Sequence, residues 1–234
     1  MNTNPDPPSA ASFPIRSTLL LVGVFFITFI GRSVLSPLLL PIERELGISH
    51  AEGGSFFLII SVGLMLTMLF SGMVSQRLKH HSTIALSAVL TGAALILIAV
   101  AGSLFWFRVG LFFLGAGAGL YLPSGITTLT DVVPSEQWGR AIALHELGPI
   151  FGLAIAPILA DIALPFFNWQ VLLLLLGIVS LLTGAIFARY FQLLSPFTVC
   201  LVKQVIIGIP LFVNPYHLVI QHVAEGFDVV FVFG

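Results

Sequence analysis

Six long apolar runs, separated by short polar or breaker-rich joins, constrain this chain more than any other feature. Each run matches the roughly 20 helical residues needed to cross a bilayer core about 30 Å thick. Hydrocarbon offers no partner to a backbone N–H or C=O, so each spanning run is expected to be a helix. The expected spans cover about residues 17–41, 54–76, 82–101, 104–130, 139–163 and 169–190.

Composition supports a membrane protein and excludes other classes. Hydrophobic residues make up 58% of the chain and charged residues only 8%, whereas soluble domains carry about 25% charged residues. The net charge of −1 predicts no nucleic-acid partner. Cys200 is the single cysteine, which excludes a disulfide framework and a cysteine-based metal site. The sequence therefore predicts an all-α integral membrane protein, a six-helix bundle with the lipid bilayer as its main solvent.

Three regions are expected along the chain. Residues 1–15 are polar and proline-rich and are predicted to form a disordered cytoplasmic tail. Residues 16–194 hold the six-span bundle. Residues 195–234 are rich in valine and isoleucine, yet no stretch is a clean seventh span, because the best candidate, 197–213, contains Lys203 and Pro210.

The basic residues predict the orientation. Cytoplasmic joins of membrane proteins carry an excess of lysine and arginine. With the N-terminus in the cytoplasm, only Arg44 lies clearly outside, and five basic residues lie inside: Arg16, Arg77, Lys79, Arg140 and Arg189. A multi-pass protein of the cell membrane follows, with the bacterial inner membrane as the expected location.

A weak internal repeat relates the two halves of the bundle. A shift of 86 residues superposes five identities: Phe26 on Phe112, Gly31 on Gly117, Pro37 on Pro123, Ser49 on Ser135, and Gly53 on Gly139. The shift equals three spans, so the second copy would be inverted in the membrane, as in many secondary transporters. Chance matching of glycines and prolines is the alternative.

Several motifs resemble the N-terminal half of the major facilitator superfamily. The stretch GRSVLSPLLLPIERELGISHAEGG covers the end of the first span and the join after it, and the fourth span contains RVGLFFLGAGAGLYLPSGI, which begins at Arg108. The join GMVSQRLKHHSTI resembles the cytoplasmic loop signature of the family, with Gly72 and Arg77 at matching positions. It departs at Gln76, where the family usually has aspartate, and at Lys79, where it usually has a second glycine. The fifth span contains Gly148-Pro149-x-x-Gly152, similar to a motif of antiporters.

The resemblance implies one half of a twelve-span transporter, built as two inverted three-helix repeats. Such proteins carry a small-molecule substrate by rocking two six-helix bundles around a central site, which is secondary active transport by alternating access. The facing bundle would be a homodimer partner or a separately encoded second six-span half. The alternatives are a truncated fragment without transport activity and a membrane interaction protein.

The stretch ALHELGPIFGLAIAP places two ionisable side chains inside the fifth span. At 1.5 Å per residue, Glu146 lies roughly 9 Å beyond Arg140. An ionised carboxylate at that depth is costly unless it is paired or wet. There are two interpretations of Glu146. It binds the substrate or a proton, or it is satisfied by a structural partner. His145 is about 100° around the helix from Glu146, so we expect one of them to face a cavity and the other a neighbouring helix.

Arg32 is the third candidate for the substrate or ion path. It lies roughly 24 Å from Arg16 by the same rise, too far from the depth of Glu146 for direct pairing to be expected. Its permanent charge suits a carboxylate or phosphate, so it is either an anchor for an anionic substrate or a side chain that reaches the outer interface.

Glycines and prolines within the spans are expected to pack helices closely or to act as pivots. They are Gly31, Pro37, Gly115, Gly117, Gly119, Pro123, Gly148, Pro149 and Gly152. A metalloprotease site is excluded because Pro149 stands where H-E-x-x-H needs its second histidine. No catalytic constellation is present in the sequence, so no enzyme activity, metal or cofactor is expected.

Overall fold

The computed structural model describes residues 14–194, and this part of the chain is helical with short connections. The helices are α1 (Ile15–Ser33), α2 (Leu35–Leu46), α3 (His50–Leu78), α4 (His80–Ala99), α5 (Leu104–Val132), α6 (Trp138–Ala163) and α7 (Trp169–Leu194). A 3-10 turn, Ser135–Gln137, precedes α6. Six of the resulting segments are long and apolar enough to cross a membrane, α1 and α2 together counting as one. The all-α, six-span prediction is confirmed. The predicted tails, residues 1–13 of the first and all of 195–234, lie outside the described residues.

The first span differs from its prediction, because it is longer and is divided at Val34. It runs from Ile15 to Leu46 rather than from 17 to 41. Pro37 has no backbone N–H, so the carbonyl of Ser33 receives no helical hydrogen bond from that position. The chain remains in a right-handed helical conformation at Val34, with φ −65° and ψ −21°, and continues into α2. Gly47, with φ 63° and ψ 31°, ends α2 in a left-handed conformation that favours glycine.

The join between the second and third spans is also shorter than expected. Helix α3 continues to Leu78, and α4 begins at His80, so Lys79 alone separates them. Lys79 has φ 63° and ψ 152°, a backbone region that is essentially restricted to glycine. Gly72, Gln76 and Arg77, which were expected in a loop, therefore lie on the last turns of α3.

Close contacts join α3 with α5, α4 with α5, and α1 with α6. Exchanging the first three spans with the last three converts the α3–α5 contact into the α6–α1 contact. The packing thus agrees with a repeat of three spans. Both contacts use a glycine pair spaced by four residues, Gly115 with Gly119 against α3 and Gly148 with Gly152 against α1.

Two apolar cores run through the bundle. One contains Leu38, Phe56, Phe107 and Leu173. The other contains Leu21, Phe25, Ile84, Tyr121 and Phe187. The least buried membrane-length segments are α3 and the one that contains α6. Their outward faces are strongly apolar, as is expected of surfaces in contact with lipid or another helical bundle.

Two carboxylates fasten the Leu46 end of α2 to other helices. Glu43, whose side chain is 8% exposed, lies with Oε1 2.9 Å from Nδ1 of His50 at the start of α3. Glu45 accepts a hydrogen bond of 2.7 Å from the indole Nε1–H of Trp169 at the start of α7. This end of α2 is therefore tied to two neighbouring spans.

Candidate functional site

A row of polar groups joins α1, α5 and α6 within the second core. The hydroxyl of Tyr121 lies 2.9 Å from the carbonyl oxygen of Leu21 and 2.9 Å from Nε2 of His145. On the other side of the imidazole, Nδ1 of His145 lies 3.3 Å from Oε1 of Glu146. The four groups form a continuous hydrogen-bonding row from α1 to the carboxylate on α6.

Aromatic packing fixes the positions of Tyr121 and His145. The ring of Phe25 on α1 stacks on Tyr121, with centroids 4.7 Å apart, and on His145, with centroids 4.6 Å apart. Tyr121 and His145 are each 1% exposed. A buried tyrosine hydroxyl or imidazole needs hydrogen-bond partners, and here each side chain provides one for the other.

His145 and Glu146 differ in burial, although their polar atoms are in contact. His145 faces α1 and α5, whereas the side chain of Glu146 is 51% exposed. Their different faces follow from the rotation of about 100° between successive helical residues. The carboxylate nevertheless reaches back to Nδ1, because the side chain of glutamate is long enough to cover the distance. The hydrogen-bonded row is therefore buried at His145 and exposed at the Glu146 carboxylate.

Pro149 changes the backbone next to His145. Helix α6 is continuous from Trp138 to Ala163, with Pro149 in its interior. Proline has no N–H to donate four residues back, so the carbonyl of His145 receives no helical hydrogen bond from that position. Close packing secures the same segment, because a Cβ on Gly148 would lie 3.1 Å from the carbonyl oxygen of Val22, and one on Gly152 would lie 3.1 Å from the Phe29 ring.

Arg32 lines a small pocket next to Tyr121. The pocket, of about 40 Å³, has room for only a few water molecules. Phe25, Phe29 and Tyr121 form its aromatic walls, and the guanidinium carbon of Arg32 lies 4.8 Å from the centroid of the Phe29 ring. No ion pair joins Arg32 to Glu146 among residues 14–194, in agreement with their predicted depths. Tyr121 connects them, because it lines the pocket of Arg32 and hydrogen-bonds to His145.

The other small residues mark helix contacts. Gly31 approaches Leu95 of α4, and Gly117 approaches Thr91 of the same helix. Gly115 and Gly119 lie on another face, where added Cβ atoms would collide with backbone atoms of α3.

Pro37 and Pro123 remove helical donors, in the first span and in α5.

The three expected signature residues lie apart from the hydrogen-bonded row. Gly72, Gln76 and Arg77 are exposed on the last turns of α3. A Cβ on Gly72 would meet nothing within 4 Å, so no close packing explains this glycine.

Tyr121 is the residue that sequence reasoning missed. Its position 24 residues before His145 belongs to no helical or motif spacing. A signal was present nonetheless, since a tyrosine in the middle of an apolar span must find a partner for its hydroxyl. That signal indicates a partner without identifying it.

Comparison with protein-family models gives one family over most of the chain. The model described as Major Facilitator Superfamily matches residues 21–204. The chain is 27% identical over 135 residues to the niacin transporter NiaP of Acinetobacter baylyi, covering 58% of this chain and 31% of that protein. It is 23% identical over 172 residues to the benzoate transport protein of the same organism, covering 70% and 37%. The chain thus spans about a third of the length of these relatives.

Solved structures show the same fold. A D-xylose-proton symporter superposes with a TM-score of 0.67 at 14% identity, over 82% of this chain and 53% of that one. A bacterial homologue of the human lysosomal transporter Spinster, in an inward-facing and occupied conformation, superposes with a TM-score of 0.63 at 15% identity, over 77% and 45%. At these identities the likeness concerns the fold alone.

Proposed function

Because the chain belongs to the major facilitator superfamily, we propose that it carries a small solute across a membrane by secondary active transport with alternating access. The observation that supports this most is the arrangement around Tyr121. This residue lines a pocket with a cation, Arg32, and it also contacts His145 of the His145–Glu146 pair. A substrate anchor and a proton-accepting pair thus adjoin a single side chain.

The proposed substrate is a small aromatic carboxylate. A guanidinium matches the geometry of a carboxylate and also stacks on aromatic faces. The pocket of Arg32 supplies that cation together with the rings of Phe25, Phe29 and Tyr121. Two relatives are named for niacin and for benzoate, both of which are aromatic carboxylic acids. An anion of this kind would bind with its carboxylate at Arg32 and its ring along the aromatic wall.

Glu146 is the proposed proton carrier, with His145 as its partner. A carboxylate within a spanning helix is costly when ionised unless it is paired or hydrated. Glu146 is both half exposed and adjacent to an imidazole nitrogen. Release and uptake of one proton at this pair would link solute movement to a proton gradient.

The pocket of Arg32 is too small for a whole aromatic acid, so we propose that a facing six-helix bundle completes it. This bundle would come from a second copy of the chain or from another six-span half. The weakly buried, apolar faces of α3 and α6 are suited to such a contact.

The proposed orientation has the N-terminus in the cytoplasm, in the inner membrane of a bacterium. Arg16, Arg77, Arg140 and Arg189 then lie at cytoplasmic span ends, in accordance with the excess of basic residues on that side.

Uptake by the purified full chain in liposomes tests the proposed function. Radiolabelled benzoate and nicotinate are supplied outside vesicles that are more alkaline inside, and a proton ionophore collapses the gradient in a parallel sample. We expect accumulation that exceeds the passive entry of the neutral acids into protein-free liposomes under the same gradient, and we expect the ionophore to abolish this excess. Binding of the same acids to the detergent-solubilised chain is measured beside it, and an absence of both binding and uptake would contradict the substrate proposal.

A further inference from the structure

We propose that the hydroxyl of Tyr121 changes its hydrogen-bond partner when the His145–Glu146 pair takes up a proton. It would donate to Nε2 of His145 when the pair is unloaded and to the carbonyl of Leu21 when the pair is loaded. This inference, which rests on the proposed function, makes Tyr121 the positioning residue through which proton binding on α6 alters the contact between α5 and α1.

The constraint comes from the single proton of the Tyr121 hydroxyl. A phenolic O–H donates one hydrogen bond, yet the oxygen lies 2.9 Å from two groups, the Leu21 carbonyl and the Nε2 atom of His145. The carbonyl can only accept. When Tyr121 donates to Leu21, Nε2 must therefore carry a hydrogen and donate to the phenolic oxygen. When Tyr121 donates to Nε2, that nitrogen must be bare.

Glu146 fixes the other nitrogen of His145. In the unloaded pair the carboxylate is ionised and only accepts, so the short contact to Nδ1 requires an Nδ1–H. A neutral imidazole with Nδ1–H has a bare Nε2, and the hydroxyl of Tyr121 must then donate to it. The unloaded pair consists of a neutral histidine and an ionised glutamate, with a net charge of −1.

One added proton reverses the bond at Tyr121. If the proton stays on the ring, the imidazolium donates from Nδ1 to Glu146 and from Nε2 to Tyr121. If the proton resides on Glu146, the carboxylic acid donates to a bare Nδ1. The neutral ring then carries its hydrogen on Nε2, as the imidazolium does. Both loaded forms have a net charge of 0 and the same Nε2–H donor. Tyr121 is then free to donate to Leu21.

Neither state leaves a buried polar group of this row unsatisfied. Leu21 lies in the interior of α1, where its carbonyl already accepts a helical hydrogen bond, and its second lone pair receives Tyr121 only in the loaded state. The 2.9 Å between the phenolic oxygen and the Leu21 carbonyl is the distance of the loaded state, in which the hydroxyl hydrogen lies between them. Without that hydrogen the two oxygens repel, so we expect this contact to lengthen in the unloaded state. Loading thus adds a polar tie from α5 to α1, and unloading moves that donor back to α6.

The charged and titratable groups of the packed helices are few. Helices α1 and α5 pack on α6 around His145. Helix α1 carries Arg16 and Arg32, and Arg32 lines the pocket that includes Tyr121. Helix α5 carries Arg108, Asp131 and Tyr121, and Tyr121 contacts His145 directly.

Helix α6 itself carries Arg140, Glu146 and Asp161, and Glu146 contacts the imidazole. Helix α2, which carries Glu43, Arg44 and Glu45, also packs on α6.

Nuclear magnetic resonance of the full chain in nanodiscs tests the switch without any transport measurement. Ring nitrogen-15 labelling of histidine reports the hydrogen on Nε2 of His145, assigned by single histidine-to-glutamine replacements. Carbonyl carbon-13 labelling of leucine, combined with nitrogen-15 valine, limits the signals to the three leucines that precede a valine, Leu21, Leu201 and Leu218. The signal that disappears in a Val22→Ile variant is that of Leu21. Between about pH 5 and pH 9, we expect the chemical shifts of His145 Nε2 and of the Leu21 carbonyl to change with one common midpoint.

Two variants separate the switch from ordinary packing. Tyr121→Phe keeps the ring that stacks on Phe25, and we expect the response of the Leu21 carbonyl to disappear while His145 still titrates. Glu146→Gln alters an exposed side chain and should move both midpoints together, whereas Asp161→Asn on the same helix should leave both unchanged.

Three results would overturn the switch. They are a Leu21 carbonyl that does not respond while His145 titrates, an unchanged response in Tyr121→Phe, and a His145 ring that keeps one protonation state throughout the range. Common titration in a chain without uptake would support the switch and reject the proposed function. Proton-driven uptake with a silent Leu21 would do the opposite.

Discussion

Pro149 follows His145 by four residues in α6, so the carbonyl of His145 receives no helical hydrogen bond from position 149. The same residue uses both ring nitrogens, Nε2 towards Tyr121 and Nδ1 towards Glu146. The helix therefore lacks a backbone hydrogen bond at the residue whose side chain joins α6 to α5. An arrangement of this kind lets a change in side-chain bonding influence the local geometry of the helix.

Replacement of Arg32 by alanine is expected to weaken binding of benzoate or nicotinate by about tenfold or more. A hydrogen bond to a charged group contributes about 1.5–3 kcal/mol, and the variant removes the cation of the pocket. The dissociation constant of the purified chain is the measurement. Arg16→Ala is the matched control, because it removes the same charge from an exposed position on the same helix. Equal losses in both variants would remove Arg32 from the substrate site.

Glu146→Gln is expected to abolish the uptake that a proton gradient drives. An amide has nearly the shape of the carboxylate but neither takes up nor releases a proton near neutral pH. The coupling step is therefore lost while the fold is kept. Uptake with and without the gradient is compared for this variant and for Asp161→Asn, an exposed carboxylate on the same helix. Gradient-dependent uptake that survives in Glu146→Gln would assign the proton to another group.

Lys79→Gly is expected to stabilise the protein. Lys79 has φ 63° and ψ 152°, and a non-glycine residue in this region costs about 1–3 kcal/mol. The free energy of unfolding in mixed detergents should rise by about 1 kcal/mol or more. The converse control is Gly47→Ala, which places a side chain at φ 63° and should lower the free energy of unfolding. An unaltered stability in Lys79→Gly would mean that contacts of the lysine offset the strain.

Gly115→Ala and Gly72→Ala are expected to act in opposite ways. A Cβ on Gly115 would collide with the backbone of Ile60, and overpacking of this kind costs about 1–3 kcal/mol. A Cβ on Gly72 would meet nothing within 4 Å, so alanine should be neutral or stabilise the helix. Thermal unfolding midpoints of the two variants provide the comparison. A midpoint for Gly115→Ala as high as that for Gly72→Ala would show that the α3–α5 contact has room for a methyl group.

Cysteine labelling tests the orientation of the spans. In a Cys200→Ser background, single cysteines at Gln76 and Glu136 should react with an impermeant maleimide from one side of the membrane. A cysteine at Ser103 or Asn168 should react from the other side. All four positions are exposed. Labelling of Gln76 and Glu136 from different sides would contradict six crossings.

The existence of the helices was predictable, because apolar runs of span length leave the backbone no other way to satisfy its hydrogen bonds. The residues at which the helices end were less predictable. The division at Val34 depends on Pro37, three residues later, and the single-residue join at Lys79 depends on a backbone conformation that lysine rarely adopts. Local residue preferences carry little information about either.

The site was predictable in part for a similar reason. Glu146, His145 and Arg32 were recognisable because charged or titratable groups are rare within spans. The connection between them through Tyr121 was not, since it depends on the close packing of α1, α5 and α6. The stacking of Phe25 on both Tyr121 and His145 is a product of that packing and has no signature in any one helix.

The ties of Glu43 to His50 and of Glu45 to Trp169 have a mechanical consequence. They hold the Leu46 end of α2 against two other helices of the bundle, so this end resists a tilt of α1. We expect such a tilt to be taken up around Val34, where the Ser33 carbonyl lacks a helical hydrogen bond. Arg32 lies two residues before Val34, on α1 rather than on α2, and its guanidinium would therefore move with α1.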